Sequence, residues 1–160
     1  MVCDMTATER NMEVCAMSDA YLVRAVAAGG RDALDELMDR YMPVVSRSAC
    51  RILCDGAGSE EVAGKVFVKI WISASGYDES LSVSQWIYHI VCGLCIGRLW
   101  RQRVLEAFSE IREDTVLIAH GGVIAAIMDH LFPEENKYRY DWQPDNGKGY
   151  CLKDGTYTKL

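Results

Sequence analysis

The chain is predicted to be mainly α-helical, with a four-helix bundle over residues 18–105 followed by a small α/β fragment made of one strand, one helix and a C-terminal hairpin. Three observations carry this expectation. Apolar residues recur at three- and four-residue spacing in four successive stretches between Ser18 and Arg103, the period of helices that each bury one face. From about Val104 the pattern changes to a short apolar run, a His120-Gly121-Gly122 turn and another apolar helix. Near the C-terminus, residues 149–152 and 156–159 flank Asp154-Gly155, a pair that tolerates positive φ and suits a two-residue hairpin turn.

Residues 1–17 show no period and are expected to be a flexible lead-in. Ser18 or Asp19 caps the first helix, whose apolar stripe is Tyr21, Leu22, Ala25 and Val26, and Gly29-Gly30 ends it. A second, longer helix carries Ala33, Leu34, Leu37, Met38, Tyr41, Met42, Val45, Ala49, Ile52 and Leu53 on one face. Pro43 lies inside it and removes a backbone donor, so a bend near Tyr41 is expected. Asp55-Gly56-Ala57-Gly58 ends that run. The third helix spans about residues 59–73, with Ser59 as cap, Glu60 and Glu61 at the positive end of the dipole, and Val62, Val66, Phe67, Ile70 and Trp71 as the buried stripe. A turn-rich connection, Gly76-Tyr77-Asp78-Glu79-Ser80, leads to a fourth helix capped by Ser82 or Ser84, with Trp86, Ile87, Ile90, Val91, Leu94 and Leu99 on its apolar side. Ala107, Phe108 and Ile111 suggest a short helix after it.

Composition narrows the function classes. A formal net charge of -6 over 160 residues is wrong for a surface that coats nucleic acid indiscriminately, so any nucleic-acid contact is a local basic patch on an acidic body. No apolar run reaches bilayer-spanning length and the N-terminus lacks the order of a secretory signal; a cytoplasmic protein without a membrane partner is the default expectation. Seven cysteines, at 3, 15, 50, 54, 92, 95 and 151, read as reduced thiols. Cys50 with Cys54 and Cys92 with Cys95 sit one helical turn apart, which suits either a zinc ion or, as their apolar neighbours favour, simple packing. No metal or cofactor is called for.

The richest stretch is 58–103. The fourth helix pattern ends in Trp100-Arg101-Gln102-Arg103, and rings backed by cations are what holding nucleic acid requires, since cations bind phosphate and flat side chains stack on unpaired bases. Glu60-Glu61 followed by V-x-x-x-V-F-x-K-x-W, a Gly-Tyr-Asp loop, then W-x-Y-x-I before a basic helix end is similar to the central conserved region, region 2, of bacterial RNA polymerase sigma factors, most closely those of the extracytoplasmic-function group. The resemblance covers roughly residues 18–105. It implies that the third helix grips the polymerase clamp through Glu60, Glu61, Lys65 and Lys69. It also implies that the loop captures an unstacked base of the promoter's -10 element, with Tyr77, Tyr88, His89, Arg98, Trp100, Arg101 and Arg103 as the DNA-contacting set. Core RNA polymerase and promoter DNA are then the partners, with an anti-sigma factor as a further one. The chain departs from the family pattern at Gly64-Lys65, where Gln-Glu is usual, and at His89, Cys92, Gly93, Gly97 and Trp100, where Arg, Arg, Asn, Asp and Arg are common. Nothing resembling a helix-turn-helix domain follows Arg103, which suggests a partial or degraded factor.

A second resemblance begins further on. TVLIAHGGVIAAIM, then YDWQPDNGKGY and a closing GTY, is similar to the C-terminal third of the histidine phosphatase superfamily, which includes phosphoglycerate mutases. His120 matches one of that family's two active-site histidines. Independently, a strand leading through glycines into a helix N-terminus forms an anion site, so His120, Gly121 and Gly122 are candidate phosphate ligands and His120 a vestigial catalytic residue. The Arg-His-Gly nucleophile motif is absent, because the other histidines are His89 and His130; covalent phosphoryl transfer would lack its attacking group. Three readings stay open: a sigma factor-like module, a phosphate-binding or phosphomonoester-hydrolysing protein centred on His120, and a non-functional fusion of two gene fragments.

Overall fold

A computed structural model describes residues 17–111, 114–135 and 139–160. The lead-in expected before Met17, with Cys3 and Cys15, lies outside the described residues. The described chain is mainly helical and closes with a two-stranded hairpin. It gathers into two units, Met1–Gly97 and Arg98–Leu160.

In the first unit, α1 (Asp19–Ala27) is capped by Ser18, whose hydroxyl accepts from the Tyr21 N–H. It stops at Gly29, which takes the left-handed conformation expected of a terminating glycine. Its buried residues are Leu22, Val23 and Val26, so Leu22 and Val26 lie inward as expected, Val23 joins them, and Tyr21, expected in the stripe, is half exposed. Helix α2 (Arg31–Leu53) runs unbroken through Pro43 and ends at Cys54, which adopts a left-handed conformation and donates its N–H to the Cys50 carbonyl.

A polar network ties α1 to α2. Arg40 donates to Asp19 at 2.6 Å, to Glu36 at 2.7 Å and to the Met17 carbonyl at 3.0 Å, while the Tyr41 hydroxyl donates to the other Asp19 oxygen at 2.6 Å. The Tyr41 pKa is pushed well above the ordinary tyrosine value, first by burial and then by this bond to Asp19. Its contribution to stability is therefore fully present below the ordinary tyrosine pKa and is lost only as the pH rises through the raised value.

Helix α3 (Gly56–Ser73) begins a turn earlier than expected. Asp55, not Ser59, is its cap: the Asp55 carboxylate accepts from the Gly58 N–H at 3.0 Å, and Ser59 is buried with its hydroxyl donating to the Asp55 carbonyl. The stretch read as a helix terminator is thus a helix first turn, because an aspartate accepting from N3 outweighs two glycines of low propensity. Helix α4 (Val83–Ser109) follows a one-turn 3-10 segment and the loop at Tyr77. Ser82 and Gln85 cap it reciprocally: the Ser82 hydroxyl accepts from the Gln85 N–H, and the Gln85 side-chain oxygen accepts from the Ser82 N–H.

The first unit's core joins Leu22, Val26, Leu37, Val45, Val66, Phe67, Ile70, Ile87, Val91 and Cys95. The separate short helix expected around Ala107 and Phe108 does not exist; α4 continues unbroken to Ser109, and the two compact units meet in sequence at Gly97–Arg98, inside this helix.

The second unit holds the C-terminal turns of α4, helix α5 (Gly121–Leu131), and the hairpin strands β1 (Tyr150–Lys153) and β2 (Thr156–Lys159). The strands pair antiparallel, with Lys153 opposite Thr156 and Tyr150 opposite Lys159. Asp154 and Gly155 both have positive φ, the requirement of the tight turn that matches strand twist. An aromatic core of its own holds this unit: Phe132, Trp142, Tyr150 and Tyr157 meet with ring centroids 4.8 to 6.1 Å apart, edge to face except for the tilted Phe132–Trp142 pair, against Ala125 and Met128.

One expected element is missing. Val116-Leu117-Ile118-Ala119 is not a strand, and the sheet contains β1 and β2 alone. Val116 is 87% and Ile118 93% exposed. A buried parallel strand needs hydrogen-bonded neighbours and a covered face, and the hairpin satisfies only itself.

Candidate protein and nucleic-acid interfaces

The outer face of α3 carries the four residues expected at a polymerase clamp. Glu60, Glu61, Lys65 and Lys69 are all exposed, and the Lys65 ammonium pairs with the Glu61 carboxylate one turn away at 2.5 Å. At the surface such a pair contributes only a few tenths of a kcal/mol, so it shapes the charge pattern more than the stability. Between and beyond these charges lies an apolar stripe: Val68 is 59% exposed, Ile72 67% and Trp71 37%. Trp71 was expected in the buried stripe and is not there. Val62, Val66, Phe67 and Ile70 already fill the inward face, and position 71 falls beside Val68 on the other side of the turn.

Val68 and Ile72 are the functional candidates that sequence reasoning passed over. Their signal was present, because positions 61, 65, 68 and 72 follow helical spacing and place two β-branched residues on the charged face. A contiguous apolar patch rimmed by charge on a water-facing helix marks a surface that meets another macromolecule.

Gly64 sits on the same exposed face, and a Cβ there would meet nothing within 4 Å. Gly64→Ala is therefore expected to stabilise the protein by about 0.5–1 kcal/mol by removing glycine's backbone entropy, read as a higher urea midpoint with unchanged m-value.

The residues expected at DNA divide between the two units. In the first unit, Tyr88 and His89 are exposed and, with Tyr41, Val44, Ser48 and Gln85, line a pocket of about 220 Å3 between α2 and α4. A hydrogen bond with the Cys92 thiol holds the Tyr88 pKa above its ordinary value. Tyr77 is only half exposed. Its ring lies 5.0 Å from that of Trp86, and its hydroxyl donates to the Leu81 carbonyl at 2.5 Å. The hydroxyl end of Tyr77 is thus committed to closing its own loop, helped by Asp78, which accepts from the Ser80 N–H.

In the second unit, Arg98, Trp100, Arg101 and Arg103 do not form one basic patch. Arg101 donates to Asp129 of α5 at 2.6 Å, which neutralises it locally. Arg98 and Arg101 line one open groove with Gln102 and Glu106, whereas Arg103 lies roughly 140° around the helix from Arg98 at the α-helical period. Trp100 reaches toward Gly122 of α5, to within 3.9 Å of where a Cβ would stand. Linear clustering of basic residues is not spatial clustering on a helix, and this is the part of the site that the structure does not bring together.

His120 is exposed at the N-cap of α5, where its carbonyl accepts from Val123 and Ile124 while its side chain makes no capping bond. Gly121 and Gly122 supply the first turn. The Gln143 side chain closes over Gly121 so tightly that a Cβ would come within 2.6 Å of it. Among the described residues no group of three or more His, Cys, Asp or Glu side chains converges in a way that could hold a metal ion. Cys95 is fully buried as a core residue, its thiol pKa raised by that burial, while Cys50 and Cys54 are exposed. No described helix is long and apolar enough to cross a membrane.

Comparison with known proteins bears on the helical part. Residues 37–104, from the second turn of α2 to the later turns of α4, match the family model described as Sigma-70 region 2. The chain is similar to the ECF RNA polymerase sigma factor SigW of Bacillus subtilis (strain 168), at 24% identity over 116 residues. That alignment takes in 71% of this chain and 59% of the relative, less than two-thirds of its length. No solved structure matches.

Proposed function

We propose that the chain is a sigma factor-like transcription-initiation module that docks on core RNA polymerase through the outer face of α3 and meets the unpaired promoter -10 element at the pocket beside Tyr88 and His89. The observation that carries this reading is the coincidence of two independent facts on one helix. The bared stripe of Val68, Trp71 and Ile72 among Glu60, Glu61, Lys65 and Lys69 lies within the stretch that matches region 2. An isolated helical unit gains nothing by exposing that stripe; a docking helix does.

The DNA half of the proposal rests on the pocket. An exposed tyrosine ring next to an imidazole over a 220 Å3 recess offers a stacking platform for a base out of its stack, and such platforms contribute about 1–3 kcal/mol per base. Tyr88→Ala is expected to weaken binding of single-stranded -10 DNA to the complex with polymerase by that amount in a fluorescence titration; unchanged affinity would count against the pocket. Tyr77 serves by fixing the loop. The arginines of the second unit contribute singly, through Arg103 above all, since Arg101 is engaged with Asp129.

The primary test is capture of core RNA polymerase by the immobilised full chain. Retention at low salt, weakening as salt rises, is the expected result; no retention at low salt rejects the proposal.

A further inference from the structure

Gln85 lines the pocket between α2 and α4, and the cap of α4 fixes which end of its amide is available. The side-chain oxygen accepts from the Ser82 N–H at 3.2 Å and from the Ser82 hydroxyl at 3.0 Å. A backbone N–H can only donate, so the atom it meets is the amide oxygen. The amide NH2 has no hydrogen-bond partner among the described residues, and it is what Gln85 offers a ligand. The two phenols on the wall are already engaged: the Tyr41 hydroxyl donates to Asp19 and the Tyr88 hydroxyl bonds with Cys92. Serine hydroxyls and a neutral imidazole can each donate or accept, so Gln85 alone gives this wall a fixed polarity. Behind it the floor is apolar, formed by Val45, Ile87 and Val91, all buried. Its volume of about 220 Å3 falls below the roughly 300–1,000 Å3 of sites for drug-sized molecules and suits a single flat ring.

We propose that this pocket selects thymine, with Gln85 as the specificity-determining residue. The proposal rests on the reading that an unpaired promoter base enters beside Tyr88 and His89. Thymine carries a keto oxygen, O4, that accepts from an amide NH2, and a C5-methyl group that seeks apolar contact of the kind the valine and isoleucine floor supplies. Cytosine places its N4 amino group where thymine has O4, which sets donor against donor and leaves both without a partner. Adenine carries an amino group, N6, in the same way. Guanine keeps a keto oxygen, O6, but brings a second ring and no methyl. Stacking on Tyr88 is indifferent to base identity, because every base has a π-face; the choice among bases falls to the amide and the floor.

The test is the affinity of three equally long single strands, oligothymidylate, oligodeoxyuridylate and oligodeoxycytidylate, for the full chain in complex with core RNA polymerase, read by fluorescence anisotropy against core polymerase alone. Uracil keeps the keto oxygen and lacks the methyl, so it separates the two contacts. The wild type is expected to bind oligothymidylate most tightly and oligodeoxycytidylate about five- to tenfold more weakly than oligodeoxyuridylate, the worth of one hydrogen bond. Gln85→Glu keeps the cap, because glutamate accepts from the Ser82 N–H as glutamine does, yet it offers the base an acceptor in place of a donor. That variant should reverse the order of the cytosine and uracil strands, with polymerase capture and helical circular dichroism unchanged. A wild type that binds the cytosine strand as tightly as the uracil strand, or a Gln85→Glu variant that keeps the wild-type order, would overturn the role of Gln85 while leaving polymerase docking and stacking on Tyr88 in place. Equal binding of the thymine and uracil strands would overturn the choice of thymine. Failure of all three strands to bind the wild-type complex would overturn the DNA reading of the pocket and this proposal with it.

Discussion

Leu37→Ala is expected to lower the unfolding free energy by about 2–5 kcal/mol. Leu37 has no exposed surface, and it lies in the second turn of α2 in the cluster that joins Leu22 of α1, Val66 and Ile70 of α3 and Val91 of α4. Truncation there removes the transfer free energy of the lost methyl groups and opens a cavity on which several helices converge, so no single side chain can swing in to fill it. The measurement is urea denaturation followed by helical circular dichroism, with the midpoint falling and the slope unchanged. A loss under about 1 kcal/mol would show that the helices close over the gap, and that the interior of the first unit is softer than its burial indicates.

The second large effect is expected from Trp142→Ala. Trp142 is 1% exposed and its ring touches Phe132, Tyr150 and Tyr157, so it connects α5 to both hairpin strands. Removing a buried indole costs about 3–5 kcal/mol, and a unit with so small a core has little stability in reserve. Amide exchange should lose its protection across α5 and β1 together, and the near-ultraviolet aromatic signal should collapse. Protection that survives in α5 while β1 exchanges freely would mean that the helix does not depend on the ring cluster.

The helices were legible in the sequence because their signals are local. Ser18, the Ser82-Gln85 reciprocal cap and the Asp154-Gly155 turn each act within a few residues of themselves, and the buried faces of α2 and α4 follow the 3.6-residue period. Two kinds of feature were not legible. One is competition between local signals, as where Asp55 starts α3 across glycines that resembled a stop. The other is whatever depends on neighbours distant in sequence. The 116–119 run has every mark of a strand, yet strandhood belongs to a pair, and among the described residues only β1 and β2 pair.

Among the candidate site residues, Glu60, Glu61, Lys65 and Lys69 fall on one face because they belong to a single helix of known period. The basic cluster at 98–103 misled because proximity in sequence was treated as proximity in space: Arg103 points away from Arg98, and Arg101 finds Asp129. Trp71 was read inward because it falls one turn after Phe67, although Val62, Val66, Phe67 and Ile70 already fill the inward face of α3.

The affinity of the full chain for core RNA polymerase, measured for the wild type, for Val68→Asp/Ile72→Asp on α3 and for Tyr21→Asp on α1, most directly tests docking through α3. All three substituted side chains are at least half exposed, so each variant should fold with a stability change within about 0.5 kcal/mol. Docking through α3 requires that the double aspartate variant bind at least about tenfold more weakly, a loss of about 1.4 kcal/mol or more, while Tyr21→Asp binds as the wild type does. Equal affinity for all three proteins would contradict it.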